Sequence, residues 1–136
     1  MCANGAPHCK FLPREEEKSP TITLELLLTT TVIDVYEDRK VATFEVPGAY
    51  LKTDLSKDNF TLLLLEVKSV GIMCDINPKY KQQVRFKDGR KTLYLCIIKS
   101  IYGMVESDLL WHELFVSVLN YMGLHQNMYD MCVSNK

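Results

Sequence analysis

A tight hairpin in the second half of the chain is the feature that most restricts the fold. In "QQVRFKDGRKTLYLCII", two β-prone runs flank Asp88-Gly89. This pair supplies the positive φ angles that a two-residue turn between antiparallel strands requires. We therefore predict two neighbouring strands that meet at residues 88 and 89.

Two stretches have the spacing and end signals of longer helices. Ser19-Pro20 predicts the start of a helix through "TITLELLLTTTVIDVYED", because serine can cap and proline fits the first turn. "ESDLLWHELFVSVLNYMG" predicts the second, with Ser107 as its cap and Gly123 at its end. A shorter helix is predicted before Pro78, which would end it.

Further strands complete the predicted pattern. "KVATFEV" predicts a strand over residues 41–46, bounded by charge and by Pro-Gly. "NFTLLLLEV" predicts a strand buried on both faces, because its apolar run is continuous. A last short strand is predicted at "MCVSN". This order of elements predicts an α+β fold with mainly antiparallel pairing.

The bulk composition restricts the class of protein more than its function. The 136 residues predict one domain, and a net charge of −1 gives no global attraction to nucleic acid or membrane. Five scattered cysteines favour a reducing compartment over a disulfide framework. No signal peptide or membrane-spanning run is evident. We therefore expect an intracellular protein, cytoplasmic or nuclear, without a membrane partner.

Glu45 stands at the end of the predicted strand 41–46, directly before a Pro-Gly turn. One interpretation is an exposed strand-end glutamate, the common case for this residue type. The other is a metal ligand, because hard cations are held by carboxylates on rigid elements. The turn would bring a backbone carbonyl and Tyr50 near the same metal.

The stretch "NPKYKQQVRFKDGRK" concentrates positive charge around the hairpin, with Tyr80 and Phe86 between the cations. Phosphates pair with such cations and bases can stack on such rings. A solvated hairpin edge is the alternative, since lysine-rich edges prevent unwanted strand pairing. The candidate nucleic-acid-binding residues are Lys79, Lys81, Arg85, Lys87, Arg90 and Lys91.

Three further stretches, in order along the chain, give the sequence a family resemblance. "SPTITLELLLTTTVIDVYEDRKVATFEVPGAYL", "KTLYLCIIKSIYGMVESDLLWHELF" and "MGLHQNMYDMCVSNK" resemble motifs of the reverse transcriptase domain of copia-type retrotransposon polyproteins. The resemblance covers nearly the whole chain, from about Glu15 to Lys136, and so includes the end of the irregular segment 1–18. It implies that residues 19–136 form part of the fingers and palm of a right-hand polymerase, an RNA-directed DNA polymerase.

The resemblance also implies roles for individual residues. Glu45 falls where the family has its first Mg2+-binding aspartate, and Val46 would offer its backbone carbonyl to the metal. Ala49 and Tyr50 fall at the nucleotide site, where the aromatic contacts the sugar, and Glu106 falls at a glutamine that contacts the nucleotide. The implied partners are an RNA or DNA template-primer, deoxynucleoside triphosphates and the remainder of the polyprotein.

Departures from the family pattern predict that this chain is inactive as a polymerase. Glutamate at position 45 is one methylene longer than aspartate, which would displace the metal. Glu106 puts a negative charge where a triphosphate would bind. No Asp-Asp pair occurs in the sequence, so we expect a truncated domain that lacks the catalytic hairpin. The alternative function is a non-catalytic nucleic-acid-binding module that uses residues 79–91.

Overall fold

The computed structural model describes residues 2–6, 19–55 and 61–136. It combines helices with small antiparallel sheets, which confirms the predicted α+β class. The chain forms two compact units, Met1–Thr53 with Ser100–Lys136, and Asp54–Lys99. Of the predicted irregular segment 1–18, residues 1 and 7–18 lie outside the described residues. In the described part, the Ala3 N–H donates to the Tyr102 carbonyl at 2.7 Å.

The first predicted helix is present as α1, Leu24–Tyr36, but it starts later than the Ser19-Pro20 signal indicated. Thr23 is the cap, because its hydroxyl accepts the Leu26 N–H at 3.3 Å. Three consecutive threonines at 29, 30 and 31 donate their hydroxyls to carbonyls of the preceding turn. These hydroxyls are therefore satisfied within the helix, and no residue of α1 is buried.

The prediction of a strand over residues 41–46 is wrong. The segment is irregular, and within the described ranges no strand pairs with it. Val41 and Phe44 are 69% and 78% exposed, so the half-buried surface that favours β-branched and aromatic residues is lacking. Without a neighbouring strand, the pattern alone forms no hydrogen-bonded ladder.

In the Asp54–Lys99 unit, α2 spans Lys68–Ile76, which confirms the short helix predicted before Pro78. A 3₁₀ helix, Pro78–Gln83, follows it, with the Asn77 side chain accepting from the Lys79 N–H at 3.1 Å. Along the chain, both helices follow the first strand of that unit and precede the second.

The sheet of this unit is antiparallel in the order β1-β3-β2, with β1 Leu62–Glu66, β2 Arg85–Lys87 and β3 Arg90–Cys96. The predicted hairpin is confirmed: Asp88 and Gly89 have φ angles of 51° and 73°, as a primed turn requires.

The leucine run predicted that β1 is buried on both faces, and this prediction is wrong. Leu65 packs with Leu93, Val70 and Cys74 in the core, whereas Leu62 and Leu64 are 48% and 42% exposed. Because α2 covers one face of the sheet, only alternate leucines reach the core.

The second long helix, α3, spans Ser107–Tyr121 in the other unit. Ser107 was predicted as its cap, but it is the first helical residue, and its hydroxyl donates to the Ile101 carbonyl at 2.8 Å. Glu106 takes the cap position without a side-chain cap bond. At the other end Gly123 has φ +81° and closes the helix as predicted.

Two short strands follow α3. β4, His125–Gln126, pairs antiparallel with β5, Ser134–Asn135. The strand predicted at "MCVSN" is therefore present, but it is confined to its last two residues.

Candidate functional site

Glu45 lies in the irregular segment before the Pro47–Gly48 turn, and it is exposed. Gly48 has φ +63°, a left-handed conformation that glycine adopts at no steric cost. Glu45 borders an open depression of about 360 Å³. The depression is lined by Phe44, Glu45, Val46, Ala49, Trp111 and Phe115. The structure thus brings together three of the predicted site residues, 45, 46 and 49.

The residues around Glu45 do not fit the magnesium site that the resemblance implies. Mg2+ takes a near-octahedral set of oxygen ligands, and a two-metal site needs several converging carboxylates. Glu45 is the single carboxylate among the residues that line its depression. Across residues 2–6, 19–55 and 61–136, no group of three or more His, Cys, Asp or Glu side chains could hold a metal ion.

Tyr50 is the most firmly positioned of the predicted nucleotide-site residues. It starts a short 3₁₀ helix, Tyr50–Lys52. Its carbonyl accepts the Ser100 hydroxyl at 2.5 Å and the Thr53 hydroxyl at 2.8 Å. The two hydroxyls also contact each other, and Ser100 and Thr53 are both buried. The Tyr50 ring packs at 4.7 Å, centroid to centroid, on Tyr102.

The Tyr50 hydroxyl donates to Oδ1 of Asp108, in the first turn of α3. This hydrogen bond, followed by burial and by the Asp108 charge, raises the pKa of Tyr50 to about 12. The hydroxyl therefore stays protonated well above neutral pH, and its hydrogen is donated to the Asp108 carboxylate.

Tyr50 and Asp108 line a second open depression of about 310 Å³. Its other lining residues are Ser19, Pro20, Trp111, His112 and Phe115.

Glu106 lines neither of these depressions. Its side chain is buried, with 6% of the residue exposed. Among the described residues, Oε1 of Glu106 has no hydrogen-bond partner. The predicted nucleotide contact is therefore a carboxylate enclosed by protein at the start of α3.

Trp111 and Phe115 border both depressions and were missed as site residues, because their spacing assigned them to the core. Their rings stack at 5.7 Å with 25° between the planes, and both side chains are half-buried. Asp108, Trp111, His112 and Phe115 follow i, i+3, i+4 and i+7, which is one face of a helix. This spacing was readable in the sequence, but it does not reveal that the face stays open.

The six predicted nucleic-acid-binding residues belong to the Asp54–Lys99 unit, and all are exposed. Lys79 and Lys81 lie on the 3₁₀ helix, and the other four lie on the hairpin strands.

Opposed residues of an antiparallel pair project from the same face of a sheet. The pairing Lys87↔Arg90, with Arg85 two residues before, therefore places three cations on the face that carries Tyr94. Lys91 lies opposite Phe86, which is 71% exposed.

No helix within the described ranges is long and apolar enough to cross a bilayer. Comparison with known proteins gives no family assignment: no family model, no curated protein and no solved structure matches the chain.

Proposed function

We propose that residues 19–136 correspond to part of the fingers and palm of a copia-type reverse transcriptase, and that the chain itself does not polymerise DNA. The observation that carries this proposal is the order of the family-like motifs along the chain, from "SPT" to "YDMCV". The ancestral reaction is RNA-directed DNA synthesis on a template-primer with deoxynucleoside triphosphates and Mg2+.

The arrangement of the first motif supports this proposal. α1 is followed by Glu45, a glycine turn with positive φ, and Tyr50 on a short helix. Val46 and Ala49 lie with Glu45 around one depression. An acid, a turn and an aromatic thus follow one another as the family pattern implies, but the strand that should carry the acid is absent.

Inactivity follows from the charges and the ligand set. The single carboxylate at Glu45 cannot hold two metal ions about 4 Å apart. Glu106 is a carboxylate where the family has a neutral amide, and Tyr50 has its hydroxyl engaged by Asp108. The missing metal ligands and the negative charge of Glu106 both disfavour a bound triphosphate.

A primer-extension assay tests the absence of polymerase activity. We expect the purified chain to give no extension above the blank with primer-template, Mg2+ and all four nucleotides. The matched variant carries Glu45→Asp and Glu106→Gln, which restore the family residue types, and we expect it to be inactive as well. Robust extension by the unmodified chain would show that the reasoning from missing carboxylates is wrong.

A second candidate function, nucleic-acid binding by the Asp54–Lys99 unit, is favoured by the exposure of the six cations. Arg85, Lys87 and Arg90 share a sheet face with Tyr94, which is 43% exposed. Cations that follow a phosphate backbone, with an aromatic for base stacking, are the usual components of single-strand binding surfaces.

Fluorescence anisotropy with a labelled oligonucleotide tests this binding. We expect weak affinity that falls as salt rises, because counterions are released from the phosphates. The variant Lys87→Glu, Arg90→Glu, Lys91→Glu should lose binding.

The matched control changes three exposed lysines elsewhere, Lys40→Glu, Lys52→Glu and Lys68→Glu, which shifts the net charge by the same amount. Equal losses in the two triple variants, or binding that is indifferent to salt, would exclude a specific role for the hairpin.

A further inference from the structure

We propose that the two depressions bordered by Trp111 and Phe115 form a binding site for a guanidinium group, such as an arginine side chain of a peptide. We call this site the aromatic groove. Its lining includes Phe44, Glu45, Tyr50, Asp108, Trp111 and Phe115. The proposal uses only these residues and does not depend on a retroelement origin.

The aromatic residues supply the first part of the argument. Trp111 and Phe115 stack on each other at 5.7 Å and remain half-buried, and Phe44 is 78% exposed beside them. A cation over the face of an aromatic ring is attracted by the ring quadrupole, most strongly by tryptophan. The groove therefore presents ring surface to a ligand instead of burying it in a core.

The charges of the groove supply the second part. Asp108 lies in the first depression and Glu45 in the second. Oδ1 of Asp108 accepts the Tyr50 hydroxyl, which orients the carboxylate and leaves Oδ2 for a ligand. No lysine or arginine of the described residues forms an ion pair with either acid.

The combination selects a guanidinium over other small groups. Two acids at an aromatic surface repel phosphates and carboxylates. A guanidinium can stack flat on an aromatic ring and donate in the plane to a carboxylate at the same time. A compact ammonium pairs with the acids but lacks the planar stacking surface. Depressions of about 310 and 360 Å³ lie within the usual size range of small-ligand sites.

The chain offers a direct reporter, because Trp111 is its single tryptophan. We would titrate the whole protein with N-acetyl-L-argininamide and record the tryptophan emission. We expect a saturable change at millimolar ligand, since one small cation makes few contacts. N-acetyl-L-citrullinamide has nearly the same shape without the charge, and it should produce no saturable change.

Variants assign the response to the two acids. Asp108→Asn and Glu45→Gln should each weaken binding about tenfold, because each removes one charged partner of the cation. Glu113→Gln is the matched control, since Glu113 is exposed on the same helix and lines neither depression. It should bind as the unmodified chain does.

Three results would overturn the proposal. They are an equal response to the citrulline compound, unchanged affinity in the Asp108→Asn, Glu45→Gln double variant, and tighter binding of inorganic phosphate than of the arginine compound. Circular dichroism of each variant distinguishes a loss of ligand binding from a loss of the folded structure. The citrulline comparison uses the unmodified chain and so decides the question even where a variant unfolds.

Discussion

Replacing Glu106 by glutamine should stabilise the protein. The change keeps the shape of the side chain and removes the charge. Glu106 is 6% exposed, and its Oε1 has no hydrogen-bond partner in the described part of the chain. A buried polar group without a partner costs about 1–3 kcal/mol in mutational series, and a charge costs more.

One opposing effect reduces the gain. Glu106 is the cap residue of α3, and a negative charge at a helix N-terminus contributes about 0.3–1 kcal/mol. Glutamine still buries a polar group at this position, so the substitution recovers only the additional cost of the charge. After the helix-terminus contribution is subtracted, we expect a net stabilisation of about 1 kcal/mol, which corresponds to a melting temperature higher by a few degrees for a chain of this size.

Urea denaturation followed by the Trp111 emission measures this difference, with Glu113→Gln as the control. Glu113 is exposed on the same helix, so its substitution should change the free energy of unfolding by less than about 0.5 kcal/mol. If Glu106→Gln lowers the free energy of unfolding by more than that amount, the carboxylate has a cationic partner and the reasoning is refuted.

Three further substitutions test other parts of the structure. Leu93→Ala should cost about 2–5 kcal/mol in chemical denaturation, because Leu93 is fully buried in the core of its unit. Asp108→Asn should lower the pKa of Tyr50 from about 12 toward its ordinary value of 10.0, measured as tyrosinate absorbance relative to Tyr50→Phe. Because that pKa is raised in the fold, its stabilising contribution is complete below pH 10.0 and lost as the pH rises through about 12. Gly103→Ala should lower the melting temperature, since Gly103 has φ +89° and an added Cβ would collide with the facing backbone. Its control, Gly71→Ala, meets nothing within 4 Å in a helix and should raise the melting temperature slightly.

Elements with strong local signals were predictable from the sequence. The turn of the hairpin is specified by Asp88 and Gly89, because few residue pairs adopt two successive positive φ angles. The end of α3 is similarly specified by Gly123. These signals act over a few residues, so no knowledge of the tertiary structure is needed to interpret them.

Elements that depend on a distant neighbour were not predictable. Residues 41–46 have the composition of a strand, but a strand exists only where another chain segment pairs with it. The leucines of β1 suggest burial on both faces, and only the position of α2 decides which of them are covered. The cap of α1 is Thr23 and not the predicted Ser19. Several residues in this stretch can cap a helix, and the local pattern does not choose between them.

The candidate site was predicted in part for the same reason. Glu45 and Tyr50 are close in sequence, and the turn between them keeps them near each other. The link from Tyr50 to Asp108 spans 58 positions and depends on the fold. Glu106 has an ordinary sequence context, and only the structure reveals that it is buried.

The place where the chain leaves one unit and returns to it has a consequence for folding. The Thr53 carbonyl accepts the Ser100 N–H at 3.1 Å. On the other side, Lys99 Nζ lies 2.9 Å from Asp54 Oδ1, and the Leu55 N–H bonds to the Ile98 carbonyl at 3.0 Å. The two ends of the 54–99 segment therefore lie next to each other.

The entropy of closing a flexible loop grows only with the logarithm of its length. A segment whose ends are already joined by hydrogen bonds can be lengthened, shortened or exchanged at little cost to the residues that flank it. The Thr53–Ser100 junction is thus a natural splice point, at which a few linking residues could replace the whole 54–99 segment.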